Sequence, residues 1–211
     1  MSSRLIEIFH DTKLVRKIQT KLPLLFCLAE LEASRAGKLG MEVGSLREKI
    51  IIALLIYKFG EENIDVSIPI TEREVDVRLF GKSISIKTIT GQGGVKAVWT
   101  VDAQSARGFI SNYIPKADIL LAQIKWGARG NLYYMPLEVQ TKVFKEVGRE
   151  MYFKLPKLGT NPRGVEFSKE ALIRLQNESG VEAIGIDWKR STSETSIFEA
   201  YRRWVDYWRE E

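Results

Sequence analysis

Three side chains in the first half of the chain have the types and spacing of a metal-assisted phosphodiester-hydrolysing site: Glu48, Asp76 and Lys87. Hydrolysis of a phosphodiester needs activated water and neutralised phosphate charge. Mg²⁺ takes oxygen ligands and keeps several waters, so two carboxylates plus a phosphate oxygen suffice to hold it. Glu48 and Asp76 can supply the carboxylates, and the carbonyl of Ile86 a third protein ligand. Lys87 can orient the attacking water and offset developing negative charge.

The elements that must position these groups can be read from the pattern. Glu74-Val75-Asp76-Val77-Arg78-Leu79-Phe80 alternates, which sets Val75, Val77 and Leu79 on one face of a strand and Asp76 on the other. Gly81-Lys82 supplies a tight turn. On the return strand Ser85 and Lys87 share a face while Ile84 and Ile86 fill the core. Glu48 opens a strongly apolar helix, Ser45 to about Phe59, that is buried in its middle.

A purely structural role also fits each residue. Ser45-Leu46-Arg47-Glu48 has the form of a capping box, in which Glu48 would only hold the helix start. Asp76 and Lys87 could form a cross-strand ion pair. The joint pattern of buried helix, carboxylate strand, tight turn and Ser-Ile-Lys strand favours the metal site.

The remaining chain reads as one domain: N-terminal helices over 1–36, a core over 45–135, and a loop plus C-terminal helices over 149–211. Helices are expected at 3–18 and 21–36, with Pro23 near the start of the second, and at about 102–113, 136–147, 168–178 and 194–209. Strands are expected at 63–70, 73–80, 83–90, 119–124, 132–135 and 182–188. The fold class is α/β, a mixed sheet flanked by helices.

A net charge of +5 suits a polyanionic partner without demanding one. The single cysteine, Cys27, excludes an internal disulfide and reads as a core residue in a reducing compartment. His10 is the one histidine, which argues against histidine catalysis and zinc. No leader pattern precedes the first helix, and the longest apolar run is too short for a bilayer. The expectation is a soluble, cytoplasmic protein.

Glu48, Asp76 and Ser85-Ile86-Lys87 resemble the nuclease core of the PD-(D/E)xK superfamily, as in type II restriction endonucleases, over about residues 45–125. The resemblance implies an αβββαβ core. Their spacing, with serine in the triplet, is also similar to that of the ThaI restriction enzymes. That similarity implies a homodimer cutting CGCG in double-stranded DNA to blunt ends. Two departures stand out. Ser85 occupies a position where Asp or Glu is usual, and Arg73-Glu74-Val75 replaces the usual proline before Asp76. The missing acid puts a full two-metal site in doubt, leaving Glu48 as the second carboxylate and Glu74 as a reserve.

Contacts to DNA are expected from basic residues in loops. Lys154, Lys157, Asn161 and Arg163 lie among prolines and glycines, and arginine can read guanine bidentately. Lys38, Lys96 and Arg107 are candidate phosphate contacts. Gly91-Gln92-Gly93-Gly94 is a candidate phosphate nest, with an ordinary loop as the alternative. Met41 sits in a three-glycine link before Ser45 and is a candidate minor-groove wedge, against packing on the first two helices. The C-terminal aromatic run reads as core or dimer interface. Two other readings remain: a junction or repair nuclease on the same core, and a non-catalytic DNA-binding protein.

Overall fold

The computed structural model describes residues 4–35, 38–39, 42–91, 94–100, 102–154, 164–190 and 202–209. A 3₁₀ turn, Arg4–Ile6, leads into α1 (Glu7–His10) and α2 (Thr12–Ala33). The short hairpin β1 (Ser34–Arg35) and β2 (Lys38–Leu39) precedes α3 (Val43–Phe59). Then come β3 (Ile64–Asp65), β4 (Val77–Leu79), β5 (Lys82–Thr90), β6 (Lys96–Val98) and α4 (Ala103–Asn112). The chain continues through β7 (Asp118–Ile124), β8 (Arg129–Met135), α5 (Leu137–Val147), α6 (Arg149–Tyr152), β9 (Phe153–Lys154), β10 (Val165–Phe167), α7 (Lys169–Asn177), β11 (Glu182–Asp187) and α8 (Arg202–Arg209).

The main sheet has six strands in the order β11-β8-β7-β5-β4-β3. Only β5 and β7 run parallel, joined through β6 and α4; the other neighbours are antiparallel. The sheet is mixed, as expected. β7 shows why it lies at the centre. Leu120, Ala122 and Ile124 enter one core, with α2, α3 and Trp188, while Ile119 and Leu121 enter a second core with α4 to α7. A strand covered on both faces reads as a continuous apolar run. A smaller sheet, β6-β10-β9, packs beside the second core.

Several sequence expectations change. The N-terminal helices break at Asp11, whose carboxylate accepts from the Lys13 and Leu14 N–H groups and caps α2; Pro23 lies inside that helix. Residues 63–70 form only the two-residue β3. The hairpin turn is Phe80-Gly81 rather than Gly81-Lys82, because Leu79 pairs with Lys82. Both central residues have positive φ, 48° and 76°, the type I′ pattern that matches strand twist. Phe80 is an unusual occupant. It is held by its N–H to the Asn63 carbonyl (2.9 Å), by an edge contact with Phe59 and by the Arg4 guanidinium 4.5 Å from its ring centre.

α3 begins at Val43, with Glu42 as N-cap and no side-chain cap. Ser45 therefore lies inside the helix and the capping box is not formed, which removes the structural explanation for Glu48. The start of α3 is fixed from its other side. Arg47, buried, pairs with buried Glu30 at 2.5 Å and donates to Thr90 Oγ1 at 3.0 Å. Glu30 also accepts from Trp126 Nε1 (2.8 Å) and meets Arg190 at 2.8 Å. Removing one partner of a buried pair typically costs about 3–5 kcal/mol, so this anchor fixes the helix one residue before Glu48.

Candidate active site

The site is built where β4 departs from regular pairing. Val77 pairs with Ile84, yet the Asp76 N–H also donates to the Ile84 carbonyl, at 2.9 Å. Two residues oppose one, the pattern of a β-bulge, and bulges re-aim side chains. The Asp76 carboxylate is turned to the neighbouring backbone: Oδ2 accepts from the Ile86 N–H at 2.5 Å and from Ser85 Oγ at 3.3 Å. It thus takes the place a strand partner would have, near the plane of the sheet. Strict alternation, which set Asp76 squarely on the face opposite Val77, is corrected by this bulge.

The in-plane position explains how groups from both faces meet. Ile84 and Ile86 pack with Ile51 and Leu55 of α3 on one side of the sheet. Ser85 and Lys87 line a narrow cavity with Ile119 and Phe167, on the other side. Glu48 comes from the α3 side and Lys87 from the opposite side, and both act on Asp76. Lys87 Nζ lies 3.5 Å from Asp76 Oδ2, with both side chains about five-sixths buried. Burial pushes the Glu48 carboxyl up, and the Asp76 charge raises it further against the pull of Lys87.

Glu74 belongs to the same neighbourhood. It lies in the turn closed by the Val75 N–H on the Glu72 carbonyl, not on a strand with Asp76, and it lines the cavity with Ser85, Lys87, Tyr113 and Lys116. Burial raises its carboxyl, opposed by Lys116 and Lys87. Lys116 and Tyr113 were not singled out in the sequence, since they lie just after α4 where no periodicity marks them. The neighbouring β-strand Asp118 is buried too, but it is committed elsewhere: it accepts from the Leu137 N–H (2.8 Å) and Tyr134 Oη (3.0 Å), tying β7 to the start of α5.

Among the described residues no three acidic, histidine or cysteine side chains converge on one point. The donor set is smaller and fits Mg²⁺: two carboxylates whose mutual repulsion a cation would relieve, an ion that takes few protein ligands. The Ile86 carbonyl is well placed to join them. On a β-strand the N–H and C=O of one residue point the same way, and the Ile86 N–H points to Asp76.

The expected DNA contacts are scattered. Lys96 and Lys154 lie on the small sheet, both paired with Glu166. Arg107 is exposed on α4. Lys38 is on β2, and its side chain lies outside the described residues, as do Met41, Lys157, Asn161 and Arg163. In the C-terminal helix Val205 and Trp208 are exposed. His10 meets Glu182 at 3.5 Å, away from the site. No helix among the described residues is long and apolar enough to cross a membrane.

With the site described, its likeness to known proteins can be stated. Residues 8–210 match the family profile described as "Restriction endonuclease ThaI". A solved structure, "Restriction endonuclease in complex with substrate DNA", superposes with a TM-score of 0.88 at 52% sequence identity, covering 99% of this chain and 100% of that one. No curated protein sequence matches significantly.

Proposed function

The chain belongs to the ThaI restriction endonuclease family, and from that premise we propose that it cuts both strands of a short palindromic DNA site as a Mg²⁺-dependent homodimer. The observation that carries this reading is Asp76 bonded to the Ile86 N–H, between Glu48 on one side of the sheet and Lys87 on the other. In this reading Glu48, Asp76 and the Ile86 carbonyl would hold the metal. A bound Mg²⁺ supplies Lewis-acid neutralisation of the phosphate and a more acidic water. The Ile86 N–H and Ser85 hydroxyl hold the Asp76 carboxylate in one orientation. Lys87 places its ammonium beside the attacking water and the phosphate oxygens, where negative charge grows in the transition state. Burial of both side chains strengthens that interaction.

Two-fold symmetry delivers one such site to each strand of a palindrome. Membership of the ThaI family supports CGCG, cut to blunt ends, as that palindrome. Digesting plasmid DNA with the protein and Mg²⁺, and sequencing the ends, tests each part. Discrete fragments ending flush within CGCG are expected. Ends at another sequence overturn the assigned site, cutting confined to branched DNA makes the protein a junction nuclease, and intact but retarded DNA leaves only binding.

A further inference from the structure

The small sheet carries a second lysine–carboxylate grouping that the cleavage chemistry does not use. β10 is its middle strand, and Glu166 stands directly opposite Lys96 of β6 and Lys154 of β9. Glu166 Oε1 lies 3.5 Å from Lys96 Nζ, and Oε2 lies 3.2 Å from Lys154 Nζ. The carboxylate also presses on the loop that leaves β5, the strand bearing Lys87: a β-carbon at Gly94 would come within 2.5 Å of Glu166 Oε2. Two ammoniums and a glycine backbone thus surround one anionic group. Neighbouring residues on the sheet's inner side, Ala97 and Phe167, line the cavity at Lys87, so the grouping is one residue removed from the active site. Trp99, 61% exposed, extends the surface and lies under Lys96, 4.7 Å from its ring centre.

We infer that Glu166 is an internal stand-in for a DNA backbone phosphate, which cancels one of the two lysine charges and so restrains binding to any duplex. The inference rests on the DNA-cleaving reading above. Its support is geometric and electrostatic. Burial works against the ionised Glu166 carboxyl, but the lysine pairs outweigh it and hold the group below the usual carboxylate range. Glu166 is therefore charged whenever DNA is bound near neutral pH. Lys154, 69% exposed, gains little stability from its pair with Glu166. A chain gains little fold from this arrangement, whereas each lysine charge freed for phosphate adds about 0.9 to the salt slope of binding.

Fluorescence anisotropy of a CGCG-free duplex in EDTA, over a salt series, tests the inference on the full chain. Glu166→Gln should bind with a salt slope steeper by about 0.9, which over the decade from 1 M down to 0.1 M is roughly an eightfold gain. Gly94→Ala should move in the same direction, because its methyl displaces the flexible end of Glu166 while the backbone there needs no positive φ. Lys96→Gln/Lys154→Gln, which leaves the carboxylate alone, should flatten the slope below wild type. These variants alter different strands and a loop, so a folding defect in one leaves the others to decide. Unchanged slopes for Glu166→Gln and Gly94→Ala, in protein that still cuts plasmid, overturn the phosphate mimic alone. A wild-type chain that neither binds nor cuts DNA overturns the cleavage reading with it.

Discussion

The two lysine–carboxylate groupings are unbalanced in opposite senses. At Asp76 itself acids are in excess: Asp76 and Glu48 share Lys87, and Lys49 is the weakest of the charges felt by Glu48. Around Glu166, bases are in excess, two lysines to one carboxylate. Each imbalance has a complementary class of ion. Crowded, partly buried carboxylates call for a cation; paired ammoniums on an outer sheet face call for a polyanion. The Glu30 cluster is the contrast that makes this informative. Glu30 also meets two cations, Arg47 and the exposed Arg190, but Glu30 and Arg47 are buried and held by Trp126 and Thr90 at hydrogen-bond distance, and the cluster serves the fold.

The largest effect that tests the comparison is loss of cleavage. Asp76→Ala or Lys87→Ala should lower the rate by at least about 10²–10³-fold in Mg²⁺, the cost of losing one preorganised charge-stabilising group. Melting curves should still show a cooperative fold. Near-wild-type cutting by either variant would show that the charges around Asp76 serve the fold and not cleavage.

A smaller effect probes the acid excess without metal. Glu48 is pushed above the ordinary carboxylate range by burial and by Asp76. An acid with a raised folded-state pKa destabilises the fold when ionised. The penalty is full above the folded pKa, shrinks as pH falls through it, and is gone below the unfolded value near 4.5. Glu48→Gln in EDTA should therefore melt a few degrees higher at neutral pH, and the gain should vanish toward pH 4.5. Equal melting of the two proteins across this pH range would show that Glu48 carries no such penalty.

Much of this was legible in the sequence because it depends on local pattern. The β4–β5 hairpin and the apolar β7 follow from strand pattern and a nearby glycine, and the structure brings the proposed Glu48, Asp76 and Lys87 into one neighbourhood. The start of α3 was misplaced because Ser45 and Glu48 mimic a cap, while the helix actually begins at Val43, anchored through Arg47 to Glu30, seventeen residues earlier in the chain. The bulge at Asp76 was hidden because it needs the register with Ile84, a non-local quantity. Glu166 could not be found among the loop's lysines by composition; only β10 lying between β6 and β9 sets it against both Lys96 and Lys154.

The smallest effect asks how far the excess of base extends. Arg107 lies on the exposed side of α4, whose inner side buries Ala106 and Ile110. α4 is fixed at its start by Asp102, which accepts from the Ser105 N–H at 2.7 Å, and it packs against β10, the strand that carries Glu166. Arg107 is a candidate phosphate contact, with a solvated helix face as the alternative. Phosphate contacts carry no sequence information. Arg107→Ala should therefore weaken binding to CGCG and random duplexes equally, with a salt slope flatter by at most about 0.9 and no change in melting temperature. A loss confined to CGCG would make Arg107 a base reader. An unchanged slope would end the basic surface at the small sheet, leaving Lys96 and Lys154 as its outer limit.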